Sequence, residues 1–209
     1  MRKSRALALP LAALCGTVAA AQQPLASVHG HAVRWGSICL TVPNRYASIG
    51  TFDFSLAESA GSRFIFAEKN DDTVGAMVVV QIEHMTSGND IYRYRLRPGI
   101  EVAGVALKTN VFAASNALAE LQSPNSESAL TTRFIRAKNF RQPDQWLTVR
   151  YATYDAAGKN EFLVFYREPL DTDTLDLGTI GPSDLPGFAE AFDAVGARAR
   201  SIVRFLRCT

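Results

Sequence analysis

The pattern of apolar and polar positions predicts β-strands through most of the chain. Short runs rich in β-branched and aromatic residues are separated by clusters of turn-forming residues. The strands predicted on this basis cover residues 33–42, 51–56, 63–67, 74–82, 91–97, 131–137, 146–154 and 161–167. Turn sequences between them, such as Asn70-Asp71-Asp72 and the segment 155–159, predict hairpins and therefore a mainly antiparallel sheet.

One of these strands has the composition of a strand that is buried on both faces. Residues 74–82 contain the uninterrupted apolar run Met77-Val78-Val79-Val80, whereas a strand with one wet face alternates apolar and polar positions. We therefore expect this strand at the centre of the sheet, with further elements covering its second face.

A helix is predicted near the C-terminus, where the apolar residues recur at spacings of three and four. They form one stripe on a helix surface: Phe188, Phe192, Val195, Ala199 and Ile202. Ser183 or Asp184 would cap this helix, and Pro186 would fit its first turn. We expect the helix to cover the sheet.

Other segments complete the predicted fold. Residues 201–206 are predicted as a short final strand, and the alanine-rich stretch 113–121 favours a helix. Residues 100–111 fit either a strand or a helix. The sequence thus predicts an α+β fold, a mainly antiparallel sheet packed by one or two helices.

The first 21 residues have the features of an export signal. Arg2, Lys3 and Arg5 precede an apolar stretch, and Ala19-Ala20-Ala21 forms a small-residue cleavage site before Gln22. We expect cleavage at that site and a periplasmic or secreted product. Lipid attachment at the leader cysteine, Cys15, is disfavoured because the residue before it is leucine and not a small residue.

The remaining chain, residues 22–209, has the length of one domain. It contains no apolar run of the roughly 20 residues that a membrane helix needs, so no transmembrane segment is expected. Its formal net charge falls from +2 to −1, because the leader holds three basic residues and no acidic one. A near-neutral chain gives no electrostatic reason to expect nucleic acid as a partner.

Two cysteines remain after cleavage, Cys39 near the mature start and Cys208 near the C-terminus. An even pair in a compartment that permits disulfides predicts a bond between them. The bond would join the first predicted strand to the end of the last one.

Candidate metal sites are incomplete in the sequence. His29 and His31 would share one face of an extended segment, and His84 could supply a third ligand, but no nearby Cys, Asp or Glu completes the pattern of a metal site. The acidic group Asp171, Asp173 and Asp176 lacks the ligand and glycine register of a calcium loop. No metal and no cofactor is therefore expected.

Catalytic signatures are also missing from the sequence. The chain contains no Gly-x-Ser-x-Gly nucleophile motif, no phosphate-binding glycine loop and no dinucleotide fingerprint. A carboxylate pair such as Asp144 and Glu161 can be chosen, but nothing in the sequence places the two across a cleft. We expect a protein that is not an enzyme.

The strand predicted at 91–97 offers a surface for recognition. Arg93, Arg95 and Arg97 would project from one face about 6.6 Å apart, while Tyr92, Tyr94 and Leu96 would anchor the other face. Three arginines on one face can pair with an acidic partner. The alternative is an ordinary charged solvent face on an edge strand.

Both ends of the chain resemble a known family. The opening Ser37-Ile38-Cys39-Leu40-Thr41-Val42-Pro43 is similar to the cysteine, strand and proline opening of periplasmic immunity proteins that neutralise type VI secretion lipase effectors. The segments 192–194 and 201–204 resemble the closing helix and strand of that group, and also those of PsbP-like α/β sandwich domains. The larger members of the immunity family have two domains, and this chain is shorter.

These observations predict a periplasmic protein-binding module. The resemblance implies an immunity protein that occludes a secreted antibacterial effector, so the expected partner is a protein, such as a cognate toxin or lipase. An envelope carrier or assembly factor that binds a lipid or small ligand is the first alternative, and an unrecognised hydrolase is the second.

Overall fold

The computed structural model describes residues 26–88, 90–93, 97–170 and 188–208, which form eleven strands and three helices. The elements are, in chain order, β1 (Ala26–His29), β2 (Ala32–Trp35), β3 (Ile38–Thr41), β4 (Ala47–Ser55), β5 (Ser59–Asn70), β6 (Thr73–Met85), β7 (Arg97–Val102), β8 (Val105–Ser115), α1 (Asn116–Gln122), α2 (Glu127–Ala137), β9 (Gln145–Tyr154), β10 (Asn160–Pro169), α3 (Phe188–Ile202) and β11 (Arg204–Arg207).

The elements pack in three layers. A seven-stranded antiparallel sheet lies in the middle, with strand order β4-β5-β6-β10-β9-β8-β7. A four-stranded antiparallel sheet and α3 cover one face, and α1 and α2 cover the other. The predicted α+β class is therefore confirmed.

The predicted central strand is also confirmed, because β6 lies between β5 and β10 near the middle of the large sheet. All side chains from Met77 to Gln81 are buried, which requires cover on both faces of the sheet. The hairpin before β6 turns at Asp71, whose φ of 52° lies in the left-handed region that aspartate tolerates in turns.

The four-stranded sheet brings the two ends of the described chain together, in the order β1-β2-β3-β11. Its inward residues pack on the large sheet, as in the stacking of Trp35 on Phe162 with ring centroids 5.7 Å apart. The predicted bond between Cys39 and Cys208 is present, with Cα atoms 5.1 Å apart. It links β3 to the residue that follows β11.

Helix α3 confirms the predicted C-terminal helix. Val195, Ala199 and Ile202 are buried against the large sheet and the four-stranded sheet, and Phe192 is partly buried. The predicted final strand follows as β11. The predicted caps Ser183 and Asp184, and Pro186 with them, lie outside the described residues.

Residues 131–137, predicted as a strand, belong to α2, so that prediction is wrong. Ser126 begins the helix by accepting a hydrogen bond from the Ala129 amide. Two threonines in the helix donate hydroxyl hydrogen bonds to carbonyls four residues earlier. Ile135 is fully buried against the large sheet. Burial of this face outweighs the weak strand preference of β-branched residues.

Two further predictions need correction. Residues 91–93 are not in a strand, and β7 begins only at Arg97. The helix predicted over 113–121 begins later, because β8 continues to Ser115 and α1 starts at Asn116. The ambiguous segment 100–111 consists of β7 and β8, joined by a turn at Ala103 and Gly104 that both adopt positive φ.

Among the described helices, none is long and apolar enough to cross a membrane.

Candidate functional site

The face of the large sheet that lies under α2 carries several buried polar side chains, four of them ionisable. We call these four together with Gln81 the buried charged cluster: Arg63, Gln81, Glu83, Glu161 and Arg167. Arg63 lies beside Gln81 across β5 and β6, and Glu83 lies beside Glu161 across β6 and β10. The strands position these groups, because every second residue of a strand points to the same face.

Arg63 is fixed by hydrogen bonds to both the sheet and α2. Its Nε donates to Gln81 Oε1, and its Nη1 donates to the Glu127 carbonyl at 2.9 Å and to Thr131 Oγ1. Its guanidinium also lies over the Phe165 ring, 5.2 Å from the centroid. Burial lowers the pKa of Arg63 to about 10, while nearby glutamates oppose that effect. The group remains a cation at neutral pH.

One of the two buried glutamates, Glu83, is linked to α2 through Gln81. The Gln81 amide donates to Glu83 Oε2 and, at 3.3 Å, to Glu127 Oε1. Burial raises the pKa of Glu161 to about 8, and the neighbouring Glu83 raises it further, while Arg63 opposes the change. Glu161 is therefore mainly protonated at neutral pH, which avoids placing two carboxylate charges side by side.

Tyr92 lies at the end of the cluster nearest the β9–β10 turn. Its backbone amide donates to the Gly158 carbonyl at 2.8 Å, and its hydroxyl is buried. Burial raises the pKa of Tyr92, and the charges of Glu83 and Glu161 raise it further. The phenol therefore stays protonated across the physiological range and can act as a donor beside the two carboxyl groups.

Arg167 differs from Arg63 because no glutamate or aspartate among the described residues offsets its charge. It is only 6% exposed and lies over the Trp146 ring at 4.7 Å from the centroid. Its one hydrogen bond within the described residues joins Nη2 to Asn116 Oδ1 at 3.4 Å. Burial lowers the pKa of Arg167 to about 9, and the like charge of Arg63 lowers it further.

A small cavity of about 30 Å³ separates this part of the sheet from α2. Arg63 and Arg167 both line it, together with Ser128 from the first turn of α2 and Thr148 from β9. Thr148 Oγ1 is buried and has no hydrogen-bond partner among the described residues. The cavity therefore has two cations and at least one free hydroxyl in its wall, and it is too small for a lipid chain.

A second surface with an unbalanced charge is the outer face of the four-stranded sheet. The strand residues exposed on this outer basic face include Arg34, Thr41, Arg204 and Leu206. An open groove of about 640 Å³ continues from this face toward Pro43. Neither Arg34 nor Arg204 forms an ion pair within the described residues, and the outward strand positions hold no acidic side chain.

The arginines chosen from the sequence lie near the edge strand β7. Arg93 is exposed in the irregular segment before that strand. Arg95 lies outside the described residues, and Arg97 is the first residue of β7, although its side chain is not described. Their use as a partner-binding surface stays a prediction.

The candidate metal ligands and acids are dispersed in the described structure. His29 is on β1, His31 hydrogen-bonds the Val42 carbonyl at 3.2 Å, and His84 lies opposite Asn160 on β10. No group of three or more His, Cys, Asp or Glu side chains converges within the described ranges.

The acids considered as a calcium loop or a catalytic pair do not come together either. Asp171, Asp173 and Asp176 lie outside the described residues. Asp144 is exposed and accepts a hydrogen bond from the Ala117 amide at 2.7 Å, whereas Glu161 is buried in the charged cluster.

Sequence reasoning considered only Glu161 among the cluster residues. A signal was present, because Gln81 and Glu83 interrupt the apolar run of β6 at every second position, and Arg167 follows an equally apolar run in β10. Such a pattern is typical of a solvent face, and only the helix above it makes these side chains buried.

A comparison of the chain with protein families, with curated proteins and with solved structures finds no match in any of the three.

Proposed function

We propose that this chain is an exported protein-binding module, and specifically an immunity protein that occludes a secreted antibacterial effector such as a lipase. The observation that carries the proposal is the outer basic face, where Arg34, Arg204 and Leu206 are exposed on one rigid sheet. The similarity of both chain ends to immunity proteins adds support from the sequence.

The chemistry of this face suits a protein partner. Leu206 is 59% exposed and lies two residues from Arg204 on β11. An exposed apolar side chain near an arginine suits a protein interface, where arginine is enriched. Because the outward strand positions carry no acid, the complementary surface is an acidic one. Opposite charges on two partners steer their encounter and accelerate association.

The face is also held rigid, which favours binding because little conformational freedom is lost on association. Strand β11 pairs with β3 along its length, and the bond between Cys39 and Cys208 fixes its end. The Cys208 amide donates to the Ser37 carbonyl at 3.0 Å, so the pairing extends beyond the strand. A stoichiometric inhibitor needs such a preformed surface and no catalytic group of its own.

The proposal predicts that a neighbouring gene encodes a secreted effector, and the test uses that effector. The mature protein is titrated into the effector while its hydrolytic activity on phospholipid vesicles is measured. We expect activity to fall to a minimum at a one-to-one ratio and co-expression in the periplasm to prevent killing. Full activity at excess protein, together with unchanged killing, would contradict the proposal.

A charge-reversal variant tests the surface itself. Arg34→Glu combined with Arg204→Glu should weaken effector binding by about tenfold or more, mainly through a slower association rate. The matched control is Arg133→Glu, an exposed arginine on α2 at the opposite side of the large sheet. Equal affinities of the double variant and the control would show that the outer basic face is not the contact surface.

A further inference from the structure

We propose that the cavity between the large sheet and α2 binds a small monovalent anion of chloride size, held by the guanidinium groups of Arg63 and Arg167 and by the hydroxyl of Thr148. The site belongs to the interior of the fold and is separate from the outer basic face. The class of ligand follows from the charge of the two arginines, the size of the cavity and the hydrogen-bond donors in its wall.

The buried positive charge of Arg167 favours the binding of an anion. A guanidinium stays charged in proteins and offers five donors, yet within the described residues Arg167 makes one hydrogen bond, to the neutral Asn116. The charge that acts on it within the described residues is that of Arg63, which has the same sign and lines the same cavity. A buried charge without a counter-charge is strongly destabilising. A bound anion would supply the missing counter-charge.

The cavity wall contains polar groups that can donate to an anion. Thr148 Oγ1 is buried without a hydrogen-bond partner among the described residues, and it lies beside Arg167 in the register of β9 and β10. Ser128 adds a second hydroxyl from α2. Water could accept hydrogen bonds from these donors, but it would leave the charge of Arg167 uncompensated. An anion satisfies both requirements at once.

The size of the cavity favours a small monoanion. A cavity of about 30 Å³ has room for about two water molecules, which suits chloride, bromide or formate. Arg63 already lies within reach of the Glu127 and Glu83 charges. Among the described residues no carboxylate acts on Arg167 in this way, so its charge is the one that the ligand would face.

The first test compares thermal unfolding of the mature protein in sodium chloride and in sodium gluconate at the same ionic strength. A ligand that binds only the folded state stabilises it by mass action, so chloride should raise Tm by about 5 °C or more once its concentration is a hundred times Kd. Above Kd the rise should continue in proportion to the logarithm of the chloride concentration. Identical melting curves in the two salts would overturn the proposal.

The second test uses Arg167→Met, which removes the charge and keeps an apolar side chain over Trp146. This variant should lose the chloride dependence and, in gluconate, should melt at or above the temperature of the unmodified protein. Arg133→Met, at an exposed position on α2, should retain the full chloride dependence. A lower Tm of Arg167→Met in both salts, with the chloride effect intact, would show a structural role only.

A third measurement does not depend on the variant folding. Crystals of the unmodified protein soaked in sodium bromide should show an anomalous difference peak between Arg63 and Arg167. Such a peak, together with competition by formate in the thermal assay, would establish the class of ligand. An empty cavity in bromide at molar concentration would refute the site.

Discussion

The two faces of the large sheet are built from the same strands but differ in chemistry. On the face toward the four-stranded sheet, β6 and β10 present side chains such as Val80 and Val164, which are fully buried. On the face toward α2 the same strands present Gln81, Glu83 and Arg167. Both faces are covered, so burial alone does not explain the difference.

This contrast distinguishes buried side chains that stabilise the fold from buried side chains that do not. Apolar burial contributes about 25 cal/mol per Å² and accounts for the packing of the first face. Buried charges are at best neutral compared with apolar residues of the same size. The charged cluster therefore points to a purpose other than stability, and the anion site is one that its geometry supports.

The largest expected effect concerns the disulfide bond within the four-stranded sheet that covers the apolar face. Replacing Cys39 and Cys208 by serine opens a loop with a sequence separation of 169. The loss of chain constraint should lower the free energy of unfolding by about 5 kcal/mol at most. Urea unfolding of the double variant measures this value. A loss below about 1 kcal/mol would show that strand pairing holds the sheet without the bond.

A somewhat smaller effect is expected from a cavity on the same apolar face. Phe162 is 1% exposed and stacks on Trp35 of the small sheet. Phe162→Ala should therefore lower the free energy of unfolding by about 4 kcal/mol, through lost burial and the cavity that remains. Phe162→Leu is the control, and it should recover more than half of that loss. Equal losses for the two variants would indicate that the ring stacking, and not volume, is decisive.

The charged face should respond to pH where the apolar face does not. The pKa of Glu161 is raised to about 8 in the folded protein from an ordinary value of 4.5, so protonation stabilises the fold. This contribution is complete below the unfolded value and is lost as pH rises toward 8. The slope should approach about 1.4 kcal/mol per pH unit between those limits.

Urea unfolding at pH 5, 6, 7 and 8 tests this expectation against Glu161→Gln, which cannot ionise. The free energies of the two proteins should be similar at pH 5 and should diverge as pH rises, with the variant becoming the more stable. Glu101→Gln, at an exposed position of β7, should follow the unmodified protein. Parallel profiles for Glu161→Gln and the unmodified protein would show that Glu161 ionises normally.

The sequence predicted the apolar face better than the charged one, and the reason is physical. The run from Met77 to Val80, the stripe of α3 and the cysteine pair each depend on local pattern or on composition, so each could be recognised. The strand predicted at 131–137 is a helix, and this error hid the charged cluster. Without α2 above it, the alternation of Gln81 and Glu83 predicts a wet face.

The charged cluster was also hard to predict because its contacts depend on pairing between strands. Arg63, Glu83 and Glu161 are far apart in sequence, and their contacts depend on the register of β5, β6 and β10. A shift of one residue would turn each side chain to the other face. The sequence indicates where strands occur, but it does not fix which residues lie opposite each other.

We expect replacement of the arginines near β7 to have the smallest effect on stability and a clear effect on binding. Replacing Arg93, Arg95 and Arg97 by glutamate reverses three charges at a site where Arg93 is exposed. Exposed substitutions usually change stability by less than about 0.5 kcal/mol. If these arginines contact the effector together with the outer basic face, the variant should associate more slowly and protect less in the killing assay.

Stability and binding must be measured on the same preparations to interpret this variant. Thermal unfolding followed by circular dichroism shows whether the fold survives, and the association rate with the effector is then compared with that of Arg34→Glu combined with Arg204→Glu. Slower association of both variants would place both surfaces at the interface. If only Arg34→Glu combined with Arg204→Glu binds more slowly, the outer basic face forms the contact and the arginines near β7 are an ordinary solvent surface. If the triple variant at Arg93, Arg95 and Arg97 unfolds, at least one of these three arginines is held inside the fold. A single Arg93→Glu variant that keeps its stability would then show that this arginine is Arg95 or Arg97.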